Sequence, residues 1–422
     1  MLLAFVLLTA ELGAAALGLP SSAARGHDPQ VSSPPLTLSA AVTQARTTSP
    51  RRRAASLIAD STRDAMRFAG RLPNPLFELR TENWAPSSPH TLTPGLDVFA
   101  VVTQPFELGG KRGIRQQLVA SENDVAIAAL KSQERGIALE TVRAYVRALR
   151  ARALVDTLTG NREGLTMLVA SMGRQVEEGY SPEADLLKFK TEAARVDGDI
   201  ARAQLELERS LSALTIAIGA ATPVQPSQLV EPTPLPVLTA DAGSIAASVA
   251  RHPDVLTATA TVDRARQVTA FERARRLPDP AVTGGYKRTA GFDTLVLGLS
   301  LAIPFFDQNG VSVAKSAGLE SAAMADRDAL VLQLATDAAS VLRAAQTIAD
   351  QASRAPHELL EPAEEVRRAA LAAFREGTAD VLKLIDAERV YADVHRAAID
   401  LRLDALLTTI EARFALGEER IP

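Results

Sequence analysis

Carboxylates gather at two places in this chain: Glu177, Glu178, Glu183 and Asp185 in the first half, and Glu376, Asp380 and Asp386 in the second. Acid repeated around a constriction favours cations, so the chemistry open to these residues is electrostatic selection. Catalytic constellations are missing. The stretch "ELGGKRG" (107–113) has the look of a phosphate loop but lacks the four-residue spacing before Gly-Lys and the Ser or Thr after it. The five histidines, His27, His90, His252, His357 and His395, have no metal-ligand spacing, and there is no cysteine. No nucleophile, base and orienting group can be assembled, so an enzyme, a cofactor site and a bound metal are not expected. A net charge of -4 leaves no basic footprint for nucleic acid.

Both acidic clusters fall at turns between long helices. No proline occurs from Gly113 to Glu178, enough chain for a helix of about 100 Å, with Gly160, Gly164 and Gly173 as possible bends. After the first turn a strict seam runs Leu186, Phe189, Ala193, Val196, Ile200, Ala203, Leu207, Ser210, Leu214, Ala217. After the second it runs Leu384, Ala387, Tyr391, Val394, Ala398, Leu401, Ala405, Thr408, Ala412. Alternating steps of three and four mean helices packed side by side as coiled coils. Leu403, Leu406 and Ile410 add a second apolar stripe. Gly179 and Gly377 suit left-handed helix ends, and Ser181 or Asp380 can cap the helix that follows.

The chain is a tandem repeat. "RLPNP" (71–75) returns as "RLPDP" (276–280), each preceded by a short helix, a Ser-Pro or His-Pro break and a longer helix. "EEGYSPEADLL" (177–187) returns as "REGTADVL" (375–382), and the three extra residues of the first version make these turns the place where the halves diverged. The expected division is a secretory signal over 1–24, a first repeat over 25–219, a proline-rich linker over 220–240, a second repeat over 241–417 and a tail over 418–422. Long helices are expected at 113–178, 184–219, 310–375 and 380–417.

Each repeat carries a strand pair after its Pro-x-Pro stop, at 75–84 with 95–106 and at 281–288 with 294–305. Pro73, Pro75, Pro278 and Pro280 mark these helix-to-strand joints, because proline forbids the helix from continuing. Leu295, Leu297, Leu299, Leu301 and Ile303 alternate with Val296, Gly298, Ser300 and Ala302, giving one greasy and one small or polar face. Of 17 aromatic residues, Phe77, Trp84, Phe99, Phe106, Tyr286, Phe292, Phe305 and Phe306 lie in or beside these strands, as in a membrane girdle. "ELGGKRG" then reads as the turn leaving a strand, with Lys111 and Arg112 at the membrane surface. Four strands cannot close a barrel and lipid forbids open edges, so copies of the chain must share one.

"RLPNP", "QPFELGGKR" (104–112), "LSLAIPFFDQNG" (299–310), "EEGYSPEADLL" and "LIDAERVY" (384–391) together resemble the TolC-type outer-membrane efflux proteins, over about residues 36–417. The Gly-Lys-Arg after "QPFEL" is most similar to the branch serving heavy-metal resistance of the cobalt-zinc-cadmium type. The resemblance implies a mainly α fold with membrane β: a homotrimer whose copies build a shared 12-stranded barrel in outer-membrane lipid, continued by a periplasmic α-barrel. It implies an exit duct working with a periplasmic adaptor and an inner-membrane RND-type pump. Gly179, Tyr180, Ser181, Asp185, Gly377, Thr378 and Asp380 become the periplasmic tip where the adaptor docks. Asp386 falls in the family's aperture ring, nine residues after the second tip glycine. Two departures follow: Lys383 stands where a second acid is usual, and Ala379 where a locking arginine pairs with acid, although Asp185 is present. The rival reading is a soluble periplasmic coiled-coil adaptor or scaffold, which leaves the two strand pairs unexplained.

Overall fold

The computed structural model describes residues 34–82, 96–233, 239–289, 291–419 and 421. The signal-like segment 1–24, Trp84, His27 and His90 lie outside them. Each half begins with a capped helix pair. In the first, α1 (Leu38–Thr48) is capped by Thr37, and α2 (Pro50–Ala69) by Ser49 with proline at its first position. That proline fits because its missing N–H would have no helical partner there. Strands β1 (Leu76–Glu82) and β2 (Asp97–Pro105) follow, then α3 (Lys111–Glu177) and α4 (Glu183–Ile218). α3 runs 67 residues without interruption, so Gly160, Gly164 and Gly173 do not break it. At 1.5 Å per residue it is about 100 Å long.

The second half repeats this order with α5 (Ala242–Val249), α6 (Pro253–Ala274), β3 (Pro280–Thr289), β4 (Phe292–Leu301), α7 (Gly310–Ala355), α8 (Glu361–Arg375) and α9 (Val381–Ala415). His252 caps α6, with Pro253 in the place that Pro50 holds in α2. The single helix expected over 310–375 is divided. Residues Pro356–Leu360 form a π-helical segment between α7 and α8, because Pro356 and Pro362 withdraw two backbone donors. The last strand ends at Leu301, short of the expected 305, and leaves Phe305 and Phe306 exposed beyond it.

Three apolar clusters run along the helices. The largest joins α1, α3, α4 and α9 through residues such as Leu38, Val142, Leu214 and Ile410. It also fixes segment 220–233, where Val224 and Leu229 are buried and Pro226–Gln228 forms a short 3-10 turn within the proline-rich stretch. The hydroxyl of Tyr145, whose side chain is buried, lies 2.6 Å from both the Leu36 and Val230 carbonyls. The α4 seam is buried or half-buried throughout. On α9 the burial turns partway along. Leu384 and Ala387 are buried near the start, whereas farther on Leu403, Leu406 and Ile410 are more buried than Leu401, Ala405 and Thr408. The stripe read as secondary is therefore the one buried there in the cluster that α9 shares with α1, α3 and α4.

The strands form one antiparallel sheet in the order β1-β2-β3-β4, so β2 pairs with β3 and joins the two halves. Register assigns its faces. Phe77, Leu79, Val102, Val282, Leu295, Leu297 and Leu299 fall on one face, and Glu78, Arg80, Thr103, Thr283, Lys287 and Ser300 on the other. Leu295 and Leu297 are 85% and 86% exposed, so in one chain nothing covers the apolar face at its β4 edge. On the polar face, Thr103 and Thr283 share a hydrogen bond of 2.9 Å, and Arg80 and Lys287 both approach the ring of Phe99. A Cβ at Gly285 would come within 2.3 Å of the Ala100 carbonyl oxygen, so only glycine allows β3 to lie this close to β2.

Candidate functional site: the helical tips and the joints

At the first tip, Gly179 adopts φ 80° and ends α3. The Tyr180 N–H returns to the Gln175 carbonyl at 2.8 Å, leaving the Tyr180 ring 80% exposed. The second tip repeats the turn at Gly377, with φ 72° and Thr378 N–H to the Ala373 carbonyl at 2.9 Å. Left-handed glycines here satisfy carbonyls that a straight helix end would leave open. One of the two expected caps is replaced. Pro182, not Ser181, occupies the cap position of α4, and Ser181 donates instead to the Gln175 side chain at 3.0 Å. Asp380 occupies the cap position of α9 but makes no side-chain cap bond.

Beneath the turns the two hairpins share a core. Phe189 of α4 meets Phe374 of α8 edge-on at 5.9 Å, beside Val381, Leu384 and Ile385 of α9 and Leu165 and Met172 of α3. Asp185 pairs with Lys188 one turn along α4 at 2.8 Å. An open groove of about 690 Å³ lies between α4 and α9, lined by Lys188, Glu192, Asp386 and Arg389 among others. Asp386 is exposed at this groove. Lys383 is also exposed and makes no ion pair among the described residues.

Sequence reasoning missed the most heavily bonded carboxylate at the tip. Glu192, with a side chain 5% exposed, accepts from Arg389 Nε of α9 at 2.9 Å and from Arg195 of its own helix at 2.8 Å. A second contact from Arg389 makes that pair two-pronged. These bonds, Arg389 foremost, hold the Glu192 carboxyl down to about 2 despite its burial. The available signals were weak: an acid next to the seam residue Ala193, and an arginine one turn after Asp386.

The joints are interlocked rather than merely repeated. Pro73 and Pro75 precede β1, Pro278 precedes β3 and Pro280 begins it. Lys111 is not the exposed side chain that a turn at a membrane surface would present. It is buried at the start of α3, where Nζ reaches Asp279 of "RLPDP" at 2.7 Å and the Leu277 carbonyl at 2.6 Å. Arg112 is exposed. Arg115 binds the Ala69 and Arg71 carbonyls and Glu107, tying α3 to the end of α2. At the other joint Asn309, at φ 57°, donates to the carbonyl and side chain of Glu272. Among the described residues no three His, Cys, Asp or Glu side chains are placed to hold a metal ion. Among the described residues no helix is long and apolar enough to cross a membrane.

Residues 245–418 match the model of the family described as outer membrane efflux protein. The cobalt-zinc-cadmium resistance protein CzcC of Cupriavidus metallidurans is 28% identical over 375 residues, covering 86% of this chain and 85% of that protein. The nickel and cobalt resistance protein CnrC of the same organism is 27% identical over 62% of each chain. In fold, the chain is similar to CusC, with a TM-score of 0.77 and 16% identity over 90% of this chain and 92% of that one. It is also similar to the outer membrane protein VceC of Vibrio cholerae, with a TM-score of 0.73 and 18% identity over 91% and 97%. With its paired strands and duplicated long hairpins, the chain is similar to outer membrane efflux proteins over most of its length, and its second half matches the model of that family.

Proposed function

We propose that this protein is the exit duct of a metal-efflux assembly, passively conducting divalent cations from a periplasmic pump and adaptor to the exterior. The observation that carries the channel reading is the sheet: four strands with an uncovered apolar face, a polar opposite face and two unpaired edges. Lipid tolerates no open edge, so copies of the chain must close one barrel together, and the likeness to outer membrane efflux channels favours three copies with 12 strands over two with eight. Helices of about 100 Å then extend the duct through the periplasm. The division into signal peptide, two repeats, linker and tail underlies this reading.

The metal cargo is supported by the resistance proteins named above, which span most of this chain. Deleting the gene should lower tolerance to zinc, cobalt, cadmium or nickel while leaving a drug panel unchanged. Unaltered metal tolerance with new drug sensitivity would reassign the cargo. Recovery of the protein in an outer-membrane fraction resistant to salt and carbonate tests the placement.

The tip turns at 179–181 and 377–380 are the proposed adaptor contact, and Asp386 the proposed aperture carboxylate. With Ala379 in place of a locking arginine and Asp185 engaged by Lys188, closure falls to Glu192 and Arg389. They join α4 of one repeat to α9 of the other, one turn from Asp386.

A further inference from the structure

We propose that the outer edge of the sheet's apolar face binds the phosphate of an outer-leaflet lipid through Arg288. This rests on the channel reading and goes beyond it, because it assigns a ligand to the lipid-facing surface itself.

The pairing register separates the charged strand residues sharply. Glu78, Arg80, Glu82, Asp97 and Lys287 all fall on the polar face. On the apolar face the charged residues are Arg288 and Asp293, directly opposite each other on β3 and β4. On that face they occupy the row farthest from the helices, since α2 leads into β1 at Leu76 and α7 leaves after β4 at Leu301. The next rows toward the helices hold Tyr286 with Leu295, Gly284 with Leu297 and Val282 with Leu299. A guanidinium thus crowns a belt of leucines. An arginine on a lipid-facing strand is poorly tolerated at mid-membrane and well tolerated at the interface, so its position at the end of the belt is the one that headgroups would reach.

The local chemistry suits a phosphate. Arg288 is 55% exposed, and its ion pair among the described residues is a long one, Nε to Asp293 at 3.8 Å. Asp293 is engaged from the other side by the Tyr286 hydroxyl. The guanidinium fork therefore keeps donors free for the planar, two-pronged recognition that arginine gives phosphate. The Tyr286 hydroxyl, two residues away on the same face, gives its one proton to Asp293 and so leaves the guanidinium as the donor to phosphate. The carboxylate of Asp293 opposes an anion and limits the site's strength. The outer leaflet of such a membrane is rich in phosphorylated glycolipid, whose acyl chains would lie along the leucine belt.

Purified protein in detergent should be titrated with diphosphoryl lipid A, phosphatidylcholine and inorganic phosphate, followed by native mass spectrometry. Arg288→Gln should weaken lipid A binding about fivefold, the effect of one basic residue at an anionic surface, and leave phosphatidylcholine unchanged. Asp293→Asn should strengthen it, which separates the charge effect from misfolding. Equal lipid A binding by wild type and Arg288→Gln would overturn the assignment. Displacement of lipid A by inorganic phosphate at matched concentration would also overturn it, as a site for the free ion. Absence of lipid A binding would overturn the assignment, whereas the channel reading stands or falls separately with recovery of the protein in the outer-membrane fraction.

Discussion

Arg389 of α9 grips Glu192 of α4 across the two repeats, Nε to Oε1 at 2.9 Å, and Arg195 holds the same oxygen at 2.8 Å. Those two helices otherwise touch sparingly, each packing mainly on other partners. Removing either end of the pair, as in Glu192→Gln or Arg389→Gln, should weaken tip closure by about 1.5–3 kcal/mol, the range for a hydrogen bond to a charged group. Single-channel conductance in planar bilayers should rise, and cells should admit bulky hydrophilic antibiotics. The double variant should add little to either single one, since both remove the same contact. Additive effects would mean that the pair is not the closing element.

The same pair predicts how closure responds to acid. The folded Glu192 carboxyl, at about 2, lies below its unfolded value of about 4.3, so its contribution is complete above the unfolded value and lost as pH falls through 2. Closed-state conductance should stay flat from near neutral pH down to about 4 and rise only below about 3. A rise near neutral pH would assign closure to another group.

The buried joint between repeats should be a stability determinant. Lys111→Met leaves Asp279 and the Leu277 carbonyl without their shared partner, whereas Asp279→Asn leaves a buried ammonium. Each should lower stability by about 1–3 kcal/mol, read as a fall in melting temperature, with non-additive loss in the pair. Arg112→Met, at the exposed neighbour, should change little.

The face assignment gives a paired test on adjacent residues. Leu297→Arg places charge on the proposed lipid face and should cost about 2–4 kcal/mol, abolishing recovery in the outer membrane. Val296→Arg points to the opposite face and should assemble, shifting ion selectivity toward anions in reversal-potential measurements. Equal assembly of both would reverse or cancel the assignment.

What could be read along the chain was whatever local rules specify. The three-four spacing from Leu186 to Ala217 called the α4 seam, and the alternation from Leu295 to Leu301 called β4. Pro73 to Pro75 and Pro278 to Pro280 fixed where helix yields to strand. Gly179 and Gly377 marked the turns. Periodicity, proline and left-handed glycine act within a few residues, so one sequence carries them without knowledge of the fold.

Only the tertiary structure decided which partners those elements meet. Glu192 finds Arg389, 197 positions away, and Lys111 finds Asp279, 168 positions away, because two repeats pack at one register. The turn of α9 onto Leu403, Leu406 and Ile410 depends on where α3 and α4 lie against it. Ser181 bonding Gln175 instead of capping α4 depends on the path of a turn three residues longer than its counterpart. An ion pair or a buried face requires two surfaces, and the sequence by itself determined only one of them at a time.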